Sequence, residues 1–91
     1  MRLNCFTIEW TPQALKQFKQ IRNLELSNKI LDVIEHDIAV NPLIGKPLCE
    51  PFQGARSYRI GKLRIIYKFY KDRLVIVILR VDHRISVYKS H

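Results

Sequence analysis

A chain of 91 residues with 47% hydrophobic and 26% charged side chains has the length and balance of one small globular domain, which excludes disordered and collagen-like architectures. Sixteen lysines and arginines against eight acids leave a formal charge of +8, which suits a polyanionic or acidic partner. The longest apolar run, Leu74 to Leu79, is six residues between two arginines. A membrane span needs roughly 18–20, so the chain reads as soluble, with no membrane partner.

Residues 3–9 alternate weakly, with Leu3, Cys5 and Thr7 on one side and Phe6 and Ile8 on the other, as in a strand covered on at least one face. Thr11-Pro12 marks a helix start, because threonine caps free backbone N–H groups and proline loses nothing at the first helical position. Leu15, Phe18 and Ile21 or Arg22 follow at helical spacing, leaving Lys16, Lys19 and Gln20 to water. Trp10 reads as a staple at this helix start rather than as a site. A second helix is predicted from Leu26 or Ser27 to Val40, with a core stripe of Leu26, Ile30, Val33, Ile34 and Ile38. Asn41-Pro42 ends it. His36 lies off that stripe and reads as a surface residue without a partner at helical spacing.

Asn41 to Gly54 holds three of the four prolines and two of the three glycines, the composition of an extended loop. Strand signals follow over Arg56–Ile60, Lys62–Tyr70 and Arg73–Val81, with turns at Gly61 and at Lys71-Asp72. In the long strand Leu63, Ile65, Tyr67 and Phe69 form the face expected against the helices. Lys62, Arg64, Ile66, Lys68 and Tyr70 form the other. The order β-α-α-β-β-β implies a single α+β domain over residues 1–91. Two N-terminal helices cover one face of a mostly antiparallel twisted sheet, and the other face is an open basic platform.

The charge is unevenly placed. Residues 1–55 hold six bases and six acids; residues 56–91 hold ten bases against Asp72 and Asp82. The whole excess therefore falls in the strand half, interleaved with Tyr58, Tyr67, Tyr70 and Tyr88, which is the footprint of a nucleic-acid partner. Cys5 and Cys49 form no CxxC or Cys/His cluster, so they read as reduced thiols of a cytoplasmic protein, and no metal site is expected. The opening residues lack an apolar stretch followed by a small-residue cleavage site, so no secretory signal is read.

No phosphate-binding glycine loop, dinucleotide fingerprint or nucleophile elbow is present. What remains is Arg59, Arg64, His83, Arg84 and Tyr88, with Glu50 in the loop. A metal-free ribonuclease needs these residue types. Attack by the neighbouring 2′-hydroxyl requires a base for its proton, an acid for the leaving 5′-oxygen, and cations for the charge gathering on the phosphate. Glu50 and His83 suit base and acid, Arg64 and Arg84 the phosphate clamp, and Tyr88 a stacking platform. Arg56, Arg59, Lys62 and Lys68 supply the surrounding RNA-binding charge.

The stretches Tyr58-Arg59-Ile60-Gly61-Lys62-Leu63-Arg64-Ile65-Ile66-Tyr67 and Ile78-Leu79-Arg80-Val81-Asp82-His83-Arg84-Ile85-Ser86-Val87-Tyr88, in the β-α-α-β-β-β order, resemble the RelE/ParE toxin superfamily over nearly the whole chain. The resemblance implies a small toxin neutralised by a cognate antitoxin that wraps around it. RelE-type members cut mRNA in the ribosomal A site without metal, so mRNA and the ribosome are implied partners and no cofactor is. ParE-type members share the fold but poison DNA gyrase and lack the nuclease residues.

Position by position, the resemblance implies that Arg64 holds the scissile phosphate. Arg84 stabilises charge or protonates the leaving group, and Tyr88 stacks on or orients the substrate. Arg59 matches the first of two strand lysines, one of them a proposed base; Gly61 stands where the second would be, with Lys62 next to it. Lys46-Pro47-Leu48-Cys49-Glu50-Pro51 resembles the loop carrying the catalytic glutamate in the YoeB branch, with two extra residues, and His83 resembles that branch's C-terminal histidine. The expected function is thus that of an mRNA-cleaving toxin, with a ParE-like gyrase inhibitor and a non-enzymatic nucleic-acid binder as its rivals.

Overall fold

The computed structural model describes residues 6–83, His83 by its backbone. Along the chain come β1 (Thr7–Trp10), α1 (Pro12–Lys19), α2 (Leu24–Val33), β2 (Lys46–Pro47), β3 (Arg56–Ile60), β4 (Leu63–Tyr70) and β5 (Val75–His83). The five strands make one sheet in the order β1-β5-β4-β3-β2, with β1 parallel to β5 and the other pairs antiparallel. The expected α+β class holds, with one strand more than the sequence pattern indicates. Lys46–Pro47, read as loop, pairs with Ser57 and Arg56. Two residues are too few to alternate, and an edge strand tolerates proline.

Thr11 caps α1 as expected. Its Oγ1 accepts from the Ala14 N–H at 3.1 Å and shares its own proton between the Ile78 and Leu79 carbonyls, each at 3.2 Å. Pairing of β1 with β5 stops at Trp10 and Ile78. Beyond that point α1 takes over the edge, as the Gln17 Oε1 accepts from the Val81 N–H at 2.8 Å. The buried residue of α1 is Ala14, with Phe18 one turn on and Ile21, just past the helix end, packed beside the core. Leu15, expected in that stripe, stands one position round the helix and is 39% exposed. Trp10 packs its ring on Phe18 at 5.2 Å, so the staple holds with a partner one turn further on.

The second helix starts earlier than its apolar stripe suggests, because the Asn23 Oδ1 accepts from the Leu26 N–H at 3.1 Å and caps it at Leu24. It continues past Val33 as a π turn over Ile34–Ile38, closed by the Ala39 N–H on the Ile34 carbonyl at 2.9 Å. His36 is on the surface as expected, but it has a partner one turn back: its Nδ1 lies 2.8 Å from Asp32 Oδ1.

Ile30, Val33, Ile34 and Ile38 meet Leu63, Ile65, Tyr67, Ile76, Ile78 and Val81 in the single core between helices and sheet. Tyr67 is fully buried there. Its hydroxyl donates to the Pro42 carbonyl at 2.5 Å and accepts from the Gly45 N–H at 3.0 Å, fastening the 3₁₀ turn Pro42–Ile44 under the sheet. Burial pushes its pKa above the ordinary 10.0, against the Gly45 hydrogen bond and the Arg56 charge, which lower it. A Cβ on Gly45 would sit 2.5 Å from that hydroxyl, so this close approach admits only glycine. The turn in turn places Lys46 at the sheet edge. No helix among the described residues is long and apolar enough to cross a membrane.

Candidate functional site

The site is built by register. Gly61, at φ +60°, makes the two-residue turn with Lys62 that pairs Ile60 with Leu63 and so sets Arg59 opposite Arg64. On the other side of β4, Arg64 faces Asp82 of β5. Arg59, Arg64 and Asp82 therefore form a row across three strands on the face away from the helices. The next row is Lys46, Ser57, Ile66 and Arg80.

That second row depends on an irregularity. Ile66 pairs with Arg80 and Tyr67 with Ile78, so Leu79 is an extra residue on β5. Strict alternation from Ile76 and Ile78 would carry Arg80 and Asp82 into the core. The bulge reverses the parity instead: Val81 joins Ile76 and Ile78 in the core, and Arg80 and Asp82 turn outward to the arginines.

Asp82 is only 8% exposed. Arg80 grips it from Nε and Nη2, at 3.2 and 3.0 Å to Oδ1 and 3.3 Å to Oδ2. The Arg64 Nη2 approaches Oδ2 from the other side at 3.9 Å, too far for a hydrogen bond. The Arg64 Nε is buried with no hydrogen-bond partner among the described residues. Arg64 also lines a cleft of about 510 Å³ with Lys46, Arg59, Ser57, Tyr58, Leu48 and Ile44. Three cationic side chains facing one cleft, with the guanidinium fork among them, are suited to a phosphate group.

The outer face is less open than its sequence pattern suggests. Ile66 is fully buried, although it lies outside the core under the helices. The segment 48–55 lies over this face. Gly54, at φ +91°, sits against Lys68, where a Cβ would be 3.4 Å from Lys68 Cε, and the Phe52 ring lies 5.8 Å from the Arg80 guanidinium. The platform is therefore partly roofed by the loop, a correction that strand periodicity alone cannot supply.

Of the residues singled out from sequence, Arg64 and Arg59 come together in the cleft. Lys62 is exposed in the turn and Lys68 is half-buried under the loop. Arg56 is half-buried and engaged with backbone, donating from Nη1 to the Gly45 carbonyl at 2.7 Å and more weakly to that of Leu43 at 3.4 Å. Glu50 is exposed in the 48–55 loop and does not line the Arg64 cleft. His83 ends β5 in register with Leu63, while Arg84 and Tyr88 lie outside the described residues. Cys49 is free and exposed, and among the described residues no group of His, Cys, Asp or Glu side chains is placed to hold a metal ion.

Lys46, Arg80 and Asp82 are the members that sequence reasoning missed. Asp82 did carry a signal, being the only acid between Arg73 and His91. An isolated acid in so basic a segment calls for a cationic partner.

Comparison with known proteins finds matches over nearly the full chain. The family model for the ParE toxin of type II toxin–antitoxin systems matches residues 8–88. Toxin RelG of Mycobacterium tuberculosis is 31% identical over 85 residues, covering 92% of this chain and 97% of that protein. Among solved structures, the toxin–antitoxin complex RelBE2 of Mycobacterium tuberculosis contains a chain with TM-score 0.82 and 28% identity, over 91% of this chain and 95% of that one. A YoeB/ParE toxin from Agrobacterium tumefaciens shares the fold with TM-score 0.74 and 19% identity, over 85% of this chain and 96% of that one.

Proposed function

This chain belongs to the RelE/ParE superfamily of toxins of type II toxin–antitoxin systems, and on that premise we propose that it is a metal-independent endoribonuclease that cuts mRNA in the ribosomal A site. The observation that carries the reading is the cleft in which Arg64, Arg59 and Lys46 converge, with Arg64 set beside a buried carboxylate. Arg64 holds the scissile phosphate and, with Arg84, offsets the charge that grows on it as the 2′-hydroxyl attacks. Glu50 and His83 divide the two proton transfers, an imidazole being suited to either near neutral pH. Tyr88 stacks on a base. Inhibition of translation follows from loss of the message. The cognate antitoxin neutralises the toxin by covering Arg64 and His83 or displacing the C-terminal tail, and the pairing of the related chain in the RelBE2 complex supports such a partner.

The name of the matching family model favours a second reading, a ParE-like inhibitor that binds DNA gyrase and performs no chemistry. Primer-extension mapping of a reporter mRNA translated in vitro separates the two, using purified protein beside Arg64→Ala and His83→Ala, with and without ribosomes. Ribosome-dependent cuts in reading frame that fall about 100- to 1,000-fold in rate with Arg64→Ala are expected. RNA left intact under every condition, together with inhibition of gyrase supercoiling, would replace the nuclease by the second reading.

A further inference from the structure

We propose that Asp82 is a positioning residue that aims the Arg64 guanidinium into the cleft, and that Arg80 is the clamp that holds Asp82 in place. The proposal deepens the nuclease reading and rests on it only for the kinetic part of its test.

The asymmetry of the two contacts on Asp82 is the starting point. Three contacts of 3.0–3.3 Å tie its carboxylate to Arg80, whereas Arg64 stands 3.9 Å away. The first is a charge-assisted, forked hydrogen bond with fixed geometry. The second is attraction without a directed bond. At that distance the carboxylate biases where the Arg64 guanidinium points without a directed hydrogen bond to Nη2, so the terminal N–H groups, unlike the buried Nε, can turn to an anion in the cleft. Burial of the acid makes the bias effective, since little water screens it.

The surroundings make such a device necessary. Arg59 lies directly opposite Arg64 on β3, and Arg80 is one row away on β5. Three guanidinium groups on adjacent strands repel one another, and without a central negative charge Arg64 would swing toward solvent. Asp82 is the acid that the register brings beside Arg64. It reaches that place only because the extra residue at Leu79 turns it outward. Arg80 in turn lies over the Phe52 ring, so the clamp is braced by the loop that carries Glu50.

The test compares the full-length protein with Asp82→Asn and Arg80→Lys, in two parallel measurements. The first is the ¹⁵N–¹H resonance of the Arg64 Nε–H, alone and with a 2′-O-methyl RNA oligonucleotide that cannot be cut. Wild type should give a resolved signal that moves on adding the oligonucleotide. In Asp82→Asn the signal should collapse toward that of a free arginine and respond little. The second is cleavage of ribosome-bound mRNA, where Asp82→Asn should lower kcat by about 100-fold, the effect of a misplaced catalytic group, with little change in KM. Arg80→Lys keeps the charge but loses the fork, and should shift both readouts in the same direction by less; it serves also if Asp82→Asn does not fold.

An Arg64 resonance unchanged in folded variants, with undiminished response to the oligonucleotide, would overturn the proposal whether or not the protein cuts RNA. Absence of cleavage by wild type, with the Arg64 resonance still dependent on Asp82, would overturn the nuclease reading and leave the positioning role standing.

Discussion

The two faces of β4 and β5 are built from the same strands by opposite rules. The face under the helices follows period two through Leu63, Ile65 and Tyr67, with every one of these residues almost completely buried. The outer face carries Arg64, Arg80 and Asp82, and on β5 it exists only because period two fails at Leu79. One face is organised by removal of apolar area from water, which tolerates any well-filled arrangement. The other is organised by register, because charges must stand opposite particular partners across strands. Substitutions on the two faces should therefore fail in different ways.

Ile65→Ala tests the inner face and carries the largest expected effect on stability. The side chain is fully buried within the core cluster, so its truncation should cost about 2–5 kcal/mol, read as a lower denaturant midpoint. On the nuclease reading, the fraction that remains folded should cut RNA much as wild type does. Arg64→Ala should show the converse, a large loss of cleavage with a modest loss of stability, since its side chain is partly exposed and makes no direct hydrogen bond to Asp82. If Ile65→Ala abolished activity in molecules that are demonstrably folded, the separation of the two faces would be wrong.

That separation also explains what could be read from sequence. The start of the first helix, the inner face of the long strand and the α+β class were legible because caps and apolar periodicity are local signals, whereas the Asn23 cap of the second helix was not read. Leu15 misled because only geometry decides which of two neighbouring apolar positions on a short helix turns inward. Lys46–Pro47 was unreadable as a strand, its pairing with β3 being set by the Tyr67 hydroxyl acting on residues more than twenty positions away. Arg59 and Arg64 were both singled out by residue type, and it is the two-residue turn of Gly61 and Lys62 that sets them opposite each other. Arg80 and Asp82 were missed because the last strand reads as ending at Val81 with no outward face assigned to it, and apolar patterning does not mark Leu79 as the extra residue.

Tyr67 belongs to the inner face but carries a buried hydroxyl tied to backbone groups, which makes it a sharper probe than an aliphatic neighbour. Tyr67→Phe keeps the ring and leaves the Pro42 carbonyl and the Gly45 N–H without their partner, at a cost of about 1–3 kcal/mol. The loss should also depend on pH. Burial raises the folded pKa of Tyr67 above 10.0, the value near which the unfolded chain ionises. Below that pH both states keep the proton and the wild-type advantage is whole. As pH rises past it the unfolded state releases a proton that the folded state retains, so stability falls until the folded pKa is passed. Paired denaturation curves of wild type and Tyr67→Phe should therefore converge above about pH 10. A constant gap between them would mean that the hydroxyl titrates alike in both states.

The smallest expected effect lies where β5 begins. The turn before β4 uses Gly61 at φ +60°, whereas the turn before β5 ends on Leu74 at φ 53°, a left-handed conformation that suits glycine and strains a leucine. Leu74 cannot relax freely, because its carbonyl accepts from the Thr7 N–H at 2.8 Å and so starts the pairing of β1 with β5. Nor does its side chain contribute much, being 45% exposed and outside the core cluster. Leu74→Gly should therefore raise stability, by up to about 1 kcal/mol, with the register of β5 and the cleavage rate unchanged. A fall in stability would show that the leucine side chain holds the turn, and with it the register on which the outer-face charges depend.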